Sequence, residues 1–185
     1  MQYNGIIIMG PPGAGKDTQA EMLTQIDISP GKFYHYNSGN EFRAAEQGTD
    51  IGAKIEQGHY GPDDRAITLF TYRMNELVQS EQLLPWDKIV LNGIPRTLAQ
   101  VKMLGKYVEV EKVLRLILGY RECEARLIKR GRSDDTPEAI SLRHSTFRDE
   151  TYTLSDEYDS GLVTAICAGR TREEVHEHIK EVLGL

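Results

Sequence analysis

The sequence predicts an α/β fold, a five-stranded parallel sheet with helices on both faces. Three observations predict it. Strand-like and helix-like stretches alternate along the chain, the pattern of a parallel sheet built from crossover units. The strand stretches are near-continuous apolar runs such as Ile6-Ile7-Ile8-Met9, as expected of strands covered on both faces. The first of them ends in a glycine- and proline-rich turn, Gly10-Pro11-Pro12-Gly13, that leads directly into a helical stretch.

The elements follow in order. Gly5 to Met9 reads as the first strand and Lys16 to Leu23 as the first helix. Phe33 to Tyr36 gives a second strand. Ile67, Phe70, Met74 and Leu77 recur at helical spacing behind Gly61-Pro62-Asp63, so a helix is expected there. Ile89-Val90-Leu91 is a third strand, broken by Asn92-Gly93, and Val113 to Leu118 a fourth, followed by a helix to about Arg130. Thr136-Pro137 offers an N-cap and a proline for the first helical position. Val163 to Cys167 is the fifth strand. Thr171-Arg172-Glu173-Glu174 opens the last helix with a capping box, and Val175, Ile179, Val182 and Leu183 form its buried stripe.

Bulk properties limit the function. The chain has 185 residues, 39% hydrophobic and 27% charged, which suits one domain over 1–185 with a full core. Its net charge of −6 makes a nucleic-acid coat a poor fit, and a phosphate site must gather its cations locally. Cys123 and Cys167 lie far apart with no secretory signal before them, which predicts free thiols in a reducing, cytoplasmic setting. The N-terminal apolar run is too short for a membrane helix.

The strongest chemical signal follows the first strand. Gly10-Pro11-Pro12-Gly13-Ala14-Gly15-Lys16-Asp17-Thr18 has the G-x-x-x-x-G-K spacing of a Walker A loop, or P-loop. Its glycines let successive backbone N–H groups and the helix N-terminus wrap a phosphate. Lys16 adds a point charge for the β- and γ-phosphates, and Thr18 a hydroxyl. Arg126 and Arg130 stand four apart on a predicted helix and so share a face. Arg132 follows in the turn and Arg143 on the next helix. Guanidinium forks bind phosphate bidentately and stay charged. Read without context, the same arginines would form a solvated face paired with Glu122, Glu124, Asp134 and Asp135.

These residues, taken in order, resemble the adenylate kinases and their nucleoside monophosphate kinase relatives. The loop from Gly10 to Gln19 is similar to that family's G-x-P-G-x-G-K-G-T-Q. Asn37-Ser38-Gly39-Asn40-Glu41-Phe42-Arg43 resembles S-T-G-D-x-x-R, and Gly58 to Asp63 falls where the family has G-x-L-V-P-D. Asn92-Gly93-Ile94-Pro95-Arg96-Thr97 with Gln100 resembles D-G-F-P-R-T and its glutamine. Arg126 to Asp135 resembles R-L-x-x-R-G…R-x-D-D.

The resemblance implies Mg²⁺-dependent phosphoryl transfer from ATP to AMP, giving two ADP. It implies nucleotide partners only, neither nucleic acid nor membrane, and a monomer. ATP would be held by Gly13, Ala14, Gly15, Lys16, Asp17, Thr18, Arg126, Arg130 and Arg170. AMP would be held by Ser38, Arg43, His59, Tyr60, Gly61, Gly93, Ile94, Pro95, Arg96, Gln100, Arg132 and Arg143, in an insertion around 37–66. Lys16, Arg96, Arg130, Arg132 and Arg143 would be catalytic, with a short lid at 130–136. Long-lid relatives hold zinc through cysteines in that lid, and none occur here, so structural zinc is not expected. Gln100 favours AMP, whereas Ser38, Tyr60 and Gly61 depart from the family's residues in this pocket and leave another nucleoside monophosphate, UMP or CMP, open.

Three further departures concern charge. The family's Mg²⁺-holding aspartate before Gly-Phe-Pro-Arg is Asn92, the acid of S-T-G-D is Asn40, and the glycine after the loop lysine is Asp17. Asp17 is therefore a candidate for the water-mediated Mg²⁺ role; the alternative is a first-turn helix acid pointing away. Losing two acids would also suit a silenced nucleotide-binding relative, against which stands the retention of Lys16 and the arginines. The five histidines show no metal spacing, His176 and His178 are expected on different faces of an exposed helix, Trp86 is expected as a partly buried loop anchor, and Cys123 as core beside Leu127.

Overall fold

The computed structural model describes residues 2–185. β1 (Tyr3–Met9), β2 (Phe33–Asn37), β3 (Lys88–Asn92), β4 (Val108–Ile117) and β5 (Val163–Cys167) form one sheet in the order β2-β3-β1-β4-β5, and every pairing is parallel. The chain runs outward from β1 in one direction to β2 and in the other to β5, so β1 flanks the point where the winding reverses. Open sheets of this kind bind ligands outside the carboxyl ends of the strands at that point.

β1 shows why the sheet is covered twice. Successive side chains point to opposite faces, and here both faces are apolar. Ile7 and Met9 pack on one side with Phe70, Met74 and Leu77 of α4 (Asp63–Gln79) and Leu104 of α5 (Leu98–Leu104). Ile6 and Ile8 pack on the other with Ala20 and Leu23 of α1 (Lys16–Leu23) and Val175 and Ile179 of α8 (Arg172–Leu183). Burying one such side chain is worth about 1.5–3 kcal/mol. Phe70 is fully buried, with the Tyr36 ring edge-on at 5.1 Å.

Several boundaries differ from the sequence expectation. β4 begins at Val108 rather than Val113 because its first half, Val108-Glu109-Val110-Glu111, alternates at its start and pairs alongside β1 with a register shift at Gly5/Ile6. Three short helices carry too little periodicity to announce themselves: α2 (Ser38–Ala45), α3 (Asp50–Glu56) and α5. Beyond α6 (Tyr120–Arg130) and α7 (Pro137–Thr146), the backbone widens into a π turn at Phe147–Thr151, then tightens into a 3₁₀ turn at Tyr152–Glu157.

α8 is less exposed than expected. His176 is buried, and its Nδ1 lies 3.2 Å from Gln19 Oε1 on α1, where it bridges the two helices. Trp86 is 53% exposed, and the loop is anchored instead by buried Asp87, which accepts from the Lys32 and Leu84 N–H groups. Thr171 does form the expected capping box with Glu174, and Cys123 and Leu127 are both core. Among the described residues no helix is long and apolar enough to cross a membrane.

Candidate active site

A cavity of about 590 Å³ opens across the carboxyl ends of β1 and β3. Its floor is the loop between β1 and α1. Gly13 and Gly15 sit at φ 88° and 91°, where side-chain-bearing residues are strained. A Cβ on Gly13 would also lie 2.5 Å from the Cys123 carbonyl oxygen, so only glycine lets the loop pass beneath α6. Ala14 and Thr18 line the same floor.

Lys16 Nζ donates to the carbonyls of Gly10 at 2.8 Å and Pro11 at 2.9 Å. Burial pulls its ammonium down to about 8, opposed by the charge of Asp17 and reinforced by that of Arg96. Beside it, Asp17 turns into the cavity. Its Oδ1 accepts from Asn37 Nδ2 at 3.0 Å and from Asn92 Nδ2, and its Oδ2 from Arg132 at 3.4 Å. Burial works against ionisation of Asp17, but the Asn92 hydrogen bond and the charges of Lys16, Arg132 and His35 outweigh it. The carboxyl is held below its ordinary value. The picture of Asp17 as an outward helix acid is therefore incorrect: the amides at the ends of β2 and β3 hold it inward.

The arginines converge from separate elements. On the side of α2, the Arg43 guanidinium donates to Asn40 Oδ1 at 2.7 Å, so a side-chain amide orients it. Arg96 Nε donates to the Gly93 carbonyl at 2.8 Å, and its guanidinium lies 4.6 Å over the Tyr60 ring. Tyr60 and the Arg96 carbonyl are both tied to Thr151, at 3.0 and 2.9 Å. On the opposite side Arg130 makes a two-pronged contact with Asp135 at 2.9 and 2.7 Å, and Arg143 reaches the same carboxylate at 3.1 Å. Arg126 donates to the Ala168 carbonyl at 2.9 Å. Pairing with Asp134 and Asp135 thus coexists with lining the cavity, and the two readings of this cluster are not exclusive.

Ser38, His59, Gly61, Gly93, Pro95, Gln100 and Arg170 also line the cavity. Ile94 does not: it is 1% exposed and packs in the core between α4 and the sheet, so only its backbone can serve the site. Gly61 has a local cause, since a Cβ there would overlap the Phe42 ring. Gln100 is buried with its amide orientation fixed. Its Oε1 accepts from the Arg96 N–H at 2.8 Å and its Nε2 donates to Asp63 Oδ1 at 2.8 Å. Sequence reasoning missed Asn37 and Thr151, which act through residues on other elements; only Asn37, next to Ser38 in a motif already singled out, carried any signal.

A family model described as "Adenylate kinase" matches residues 8–162. The adenylate kinase of Corynebacterium aurimucosum is 32% identical, over 96% of this chain and 98% of that protein. That of Leifsonia xyli subsp. xyli is 35% identical over 87% and 83%, and that of Rhodopirellula baltica 34% over 96% and 94%. A P-loop lysine and arginines meeting at one cavity, with a family match spanning most of the fold that builds it, lead to one conclusion: the chain belongs to the adenylate kinase family.

Proposed function

We propose that the protein catalyses reversible, Mg²⁺-dependent phosphoryl transfer from ATP to AMP, giving two ADP. The observation that carries this reading is the meeting of Lys16, Arg43, Arg96, Arg130, Arg132 and Arg143 around one cavity. The transferring group passes between two phosphate chains with little covalent help, so the protein must neutralise charge, align the two ends and exclude water. The loop N–H groups and Lys16 hold the donor phosphates. Arg43 and Arg96 hold the acceptor phosphate, with Arg96 braced by Tyr60 and Gly93. Arg130, Arg132 and Arg143 reach the transferring group from 130–136 and α7, and Asp135 fixes two of them before substrate arrives.

The donor set fits a hydrated Mg²⁺. Among the described residues there is no cluster of three or more metal-type side chains, and Mg²⁺ in nucleotide enzymes needs only one or two carboxylates beside substrate phosphates and water. Asp17 would hold it, being the ionised carboxylate nearest Lys16. Bound with ATP, the ion would neutralise charge on the β- and γ-phosphates.

Acceptor choice follows from Gln100. A side-chain amide has two N–H groups and two lone pairs. One of each is spent on Asp63 and Arg96, so one of each remains, at fixed positions. Adenine offers a matching amino donor and ring-nitrogen acceptor, whereas guanine and uracil offer the reverse polarity. Cytosine shares adenine's polarity and is excluded only by size.

ADP formation from ATP and Mg²⁺ with AMP, CMP, GMP or UMP in parallel tests this. Turnover should be best with AMP, with CMP the nearest competitor, and Gln100→Leu should lower kcat/KM for AMP at least about tenfold. No turnover with any acceptor would refute the kinase reading, and brisk turnover with UMP would refute the role of Gln100.

A further inference from the structure

Behind the P-loop lies a second cavity, of about 500 Å³, bounded by the carboxyl end of β4, the start of α6, and α7 with the turns that follow it. Among the described residues only two buried side-chain polar atoms lack a hydrogen-bond partner, Arg115 Nε and His144 Nε2. Both residues line this one cavity. Buried polar atoms are almost always paired; the Pro12 backbone lies within reach of the His144 ring, whereas Arg115 Nε has no protein partner, so Arg115 is the group here left for something that arrives.

The surrounding chemistry narrows what that is. Arg115 makes no ion pair with any described carboxylate; its contacts are the Ser155 hydroxyl, 3.4 Å from Nη1, and the Tyr152 ring, 5.9 Å from the guanidinium carbon. A half-buried guanidinium without a counter-ion favours an arriving anion. The rest of the wall is apolar and aromatic. Tyr120 meets the His144 ring edge-on at 4.7 Å, Phe147 meets Tyr152 edge-on at 6.4 Å, and Tyr120 and Tyr152 remain about half exposed. A planar ring fits between such faces. The volume falls within the range of small-molecule sites.

The two cavities share their partition. Pro11 lines the second cavity and Pro12 the first, in adjacent positions of the loop whose carbonyls hold Lys16. On α7, His144 faces the second cavity and Arg143 the first, while Phe147 lines both. An occupant of the second cavity therefore touches the backbone elements that position Lys16 and Arg143.

We propose that this second cavity is a regulatory site for a small planar anion, an aromatic ring bearing a carboxylate, sulfonate or phosphate, with Arg115 taking the charge. The occupant biases the P-loop and α7 and so changes the affinity of the neighbouring nucleotide site. Arg115, Tyr120 and Tyr152 line the second cavity and not the first.

The probe is 1-anilinonaphthalene-8-sulfonate, an aromatic sulfonate that fluoresces when shielded from water, titrated into the full chain with saturating ATP and AMP present and Mg²⁺ withheld, so that both halves of the first cavity are filled without turnover. The expected result is one saturable binding event that survives ATP and AMP and weakens at least about tenfold in Arg115→Met, with the far-ultraviolet spectrum and Tm unchanged. Tyr120→Ser, at an exposed position, should weaken it as well without altering the fold. ATP affinity in wild type should shift at least about twofold on dye saturation, with no shift in Arg115→Met. Complete displacement of the dye by ATP and AMP together, or binding indifferent to both substitutions, overturns the site. Dye binding that leaves ATP affinity unchanged overturns its regulatory role.

Discussion

Raising the pH should loosen nucleotide binding in a way that reports on Lys16 alone. In the nucleotide-free protein its ammonium is surrounded by loop carbonyls and its pKa is pulled down by burial to about 8. Bound phosphates supply the missing negative charge and drive that pKa back up, so the complex keeps its proton over a range in which the free protein loses it. By linkage, affinity is full below pH 8 and falls as pH rises through it. The ratio of the factors 1 + 10^(pH − 8) at pH 9 and pH 7 gives a loss of about tenfold. Calorimetric titration of ATP without Mg²⁺, at constant ionic strength from pH 7 to 9, reads this directly. The phosphates of ATP gain negative charge over the same range and favour tighter binding, so they cannot imitate the loss. Cys123 does not interfere, because burial pushes its thiol up to about 11. Lys16→Arg keeps the charge at every pH in the window and should bind with a flat profile. A flat wild-type profile, or a Lys16→Arg profile that declines in parallel with wild type, would refute the argument.

Two other perturbations have defined outcomes. Gly61→Val drives a side chain into the Phe42 ring and should destabilise by about 1–3 kcal/mol and raise the KM for AMP; Phe42→Leu in the same chain should recover most of both losses, and a double variant no better than the single would show that Phe42 is not the obstacle. Thr171→Ala removes the capping box of α8 and should cost about 1 kcal/mol, a Tm lower by roughly 2–4 °C with kcat unchanged; a loss of kcat would mean that α8 does more than support the sheet.

What could be read from the sequence is what is contiguous in it. β1 is legible because four successive apolar residues serve two cores at once, and the P-loop because its glycines, lysine and helix are consecutive. β4 was half legible, since Glu109 and Glu111 at its beginning look like a loop until β1 is laid beside them. His176 looked like a surface residue because nothing in its neighbourhood along the chain announces Gln19, 157 positions away. The arginines were identifiable as a set, but their sharing of Asp135 and the bracing of Arg96 by Tyr60 and Thr151 depend on how α6, α7 and the π turn dock. Ile94 is the converse case: a recognisable motif points to the site, while packing turns the Ile94 side chain into the core and leaves only its backbone to serve there.

The departures around Lys16 make sense once β3 and the P-loop are seen together. Two family-type changes, Asp to Asn at position 92 and Gly to Asp at position 17, look independent in sequence but meet in space, since Asn92 Nδ2 donates to Asp17 Oδ1. We interpret them as one exchange that moves the carboxylate from the strand to the loop and leaves an amide to hold it. Two carboxylates in that contact would repel by about 4 kcal/mol at 4 Å and an effective dielectric of 20, and one of them would have to stay protonated at neutral pH. Three variants separate this from coincidence. Asp17→Gly should raise the Mg²⁺ concentration needed for half-maximal ADP formation, because the cavity then lacks its acid beside Lys16. Asn92→Asp should lower activity at pH 7, with a new titration above pH 5 in its rate profile. The double variant should restore both the Mg²⁺ dependence and the pH profile, with a coupling energy well outside the additivity expected of independent sites. Additive losses in the double variant would show that Asp17 and Asn92 arose separately, and that Asp17 is not the relocated metal carboxylate.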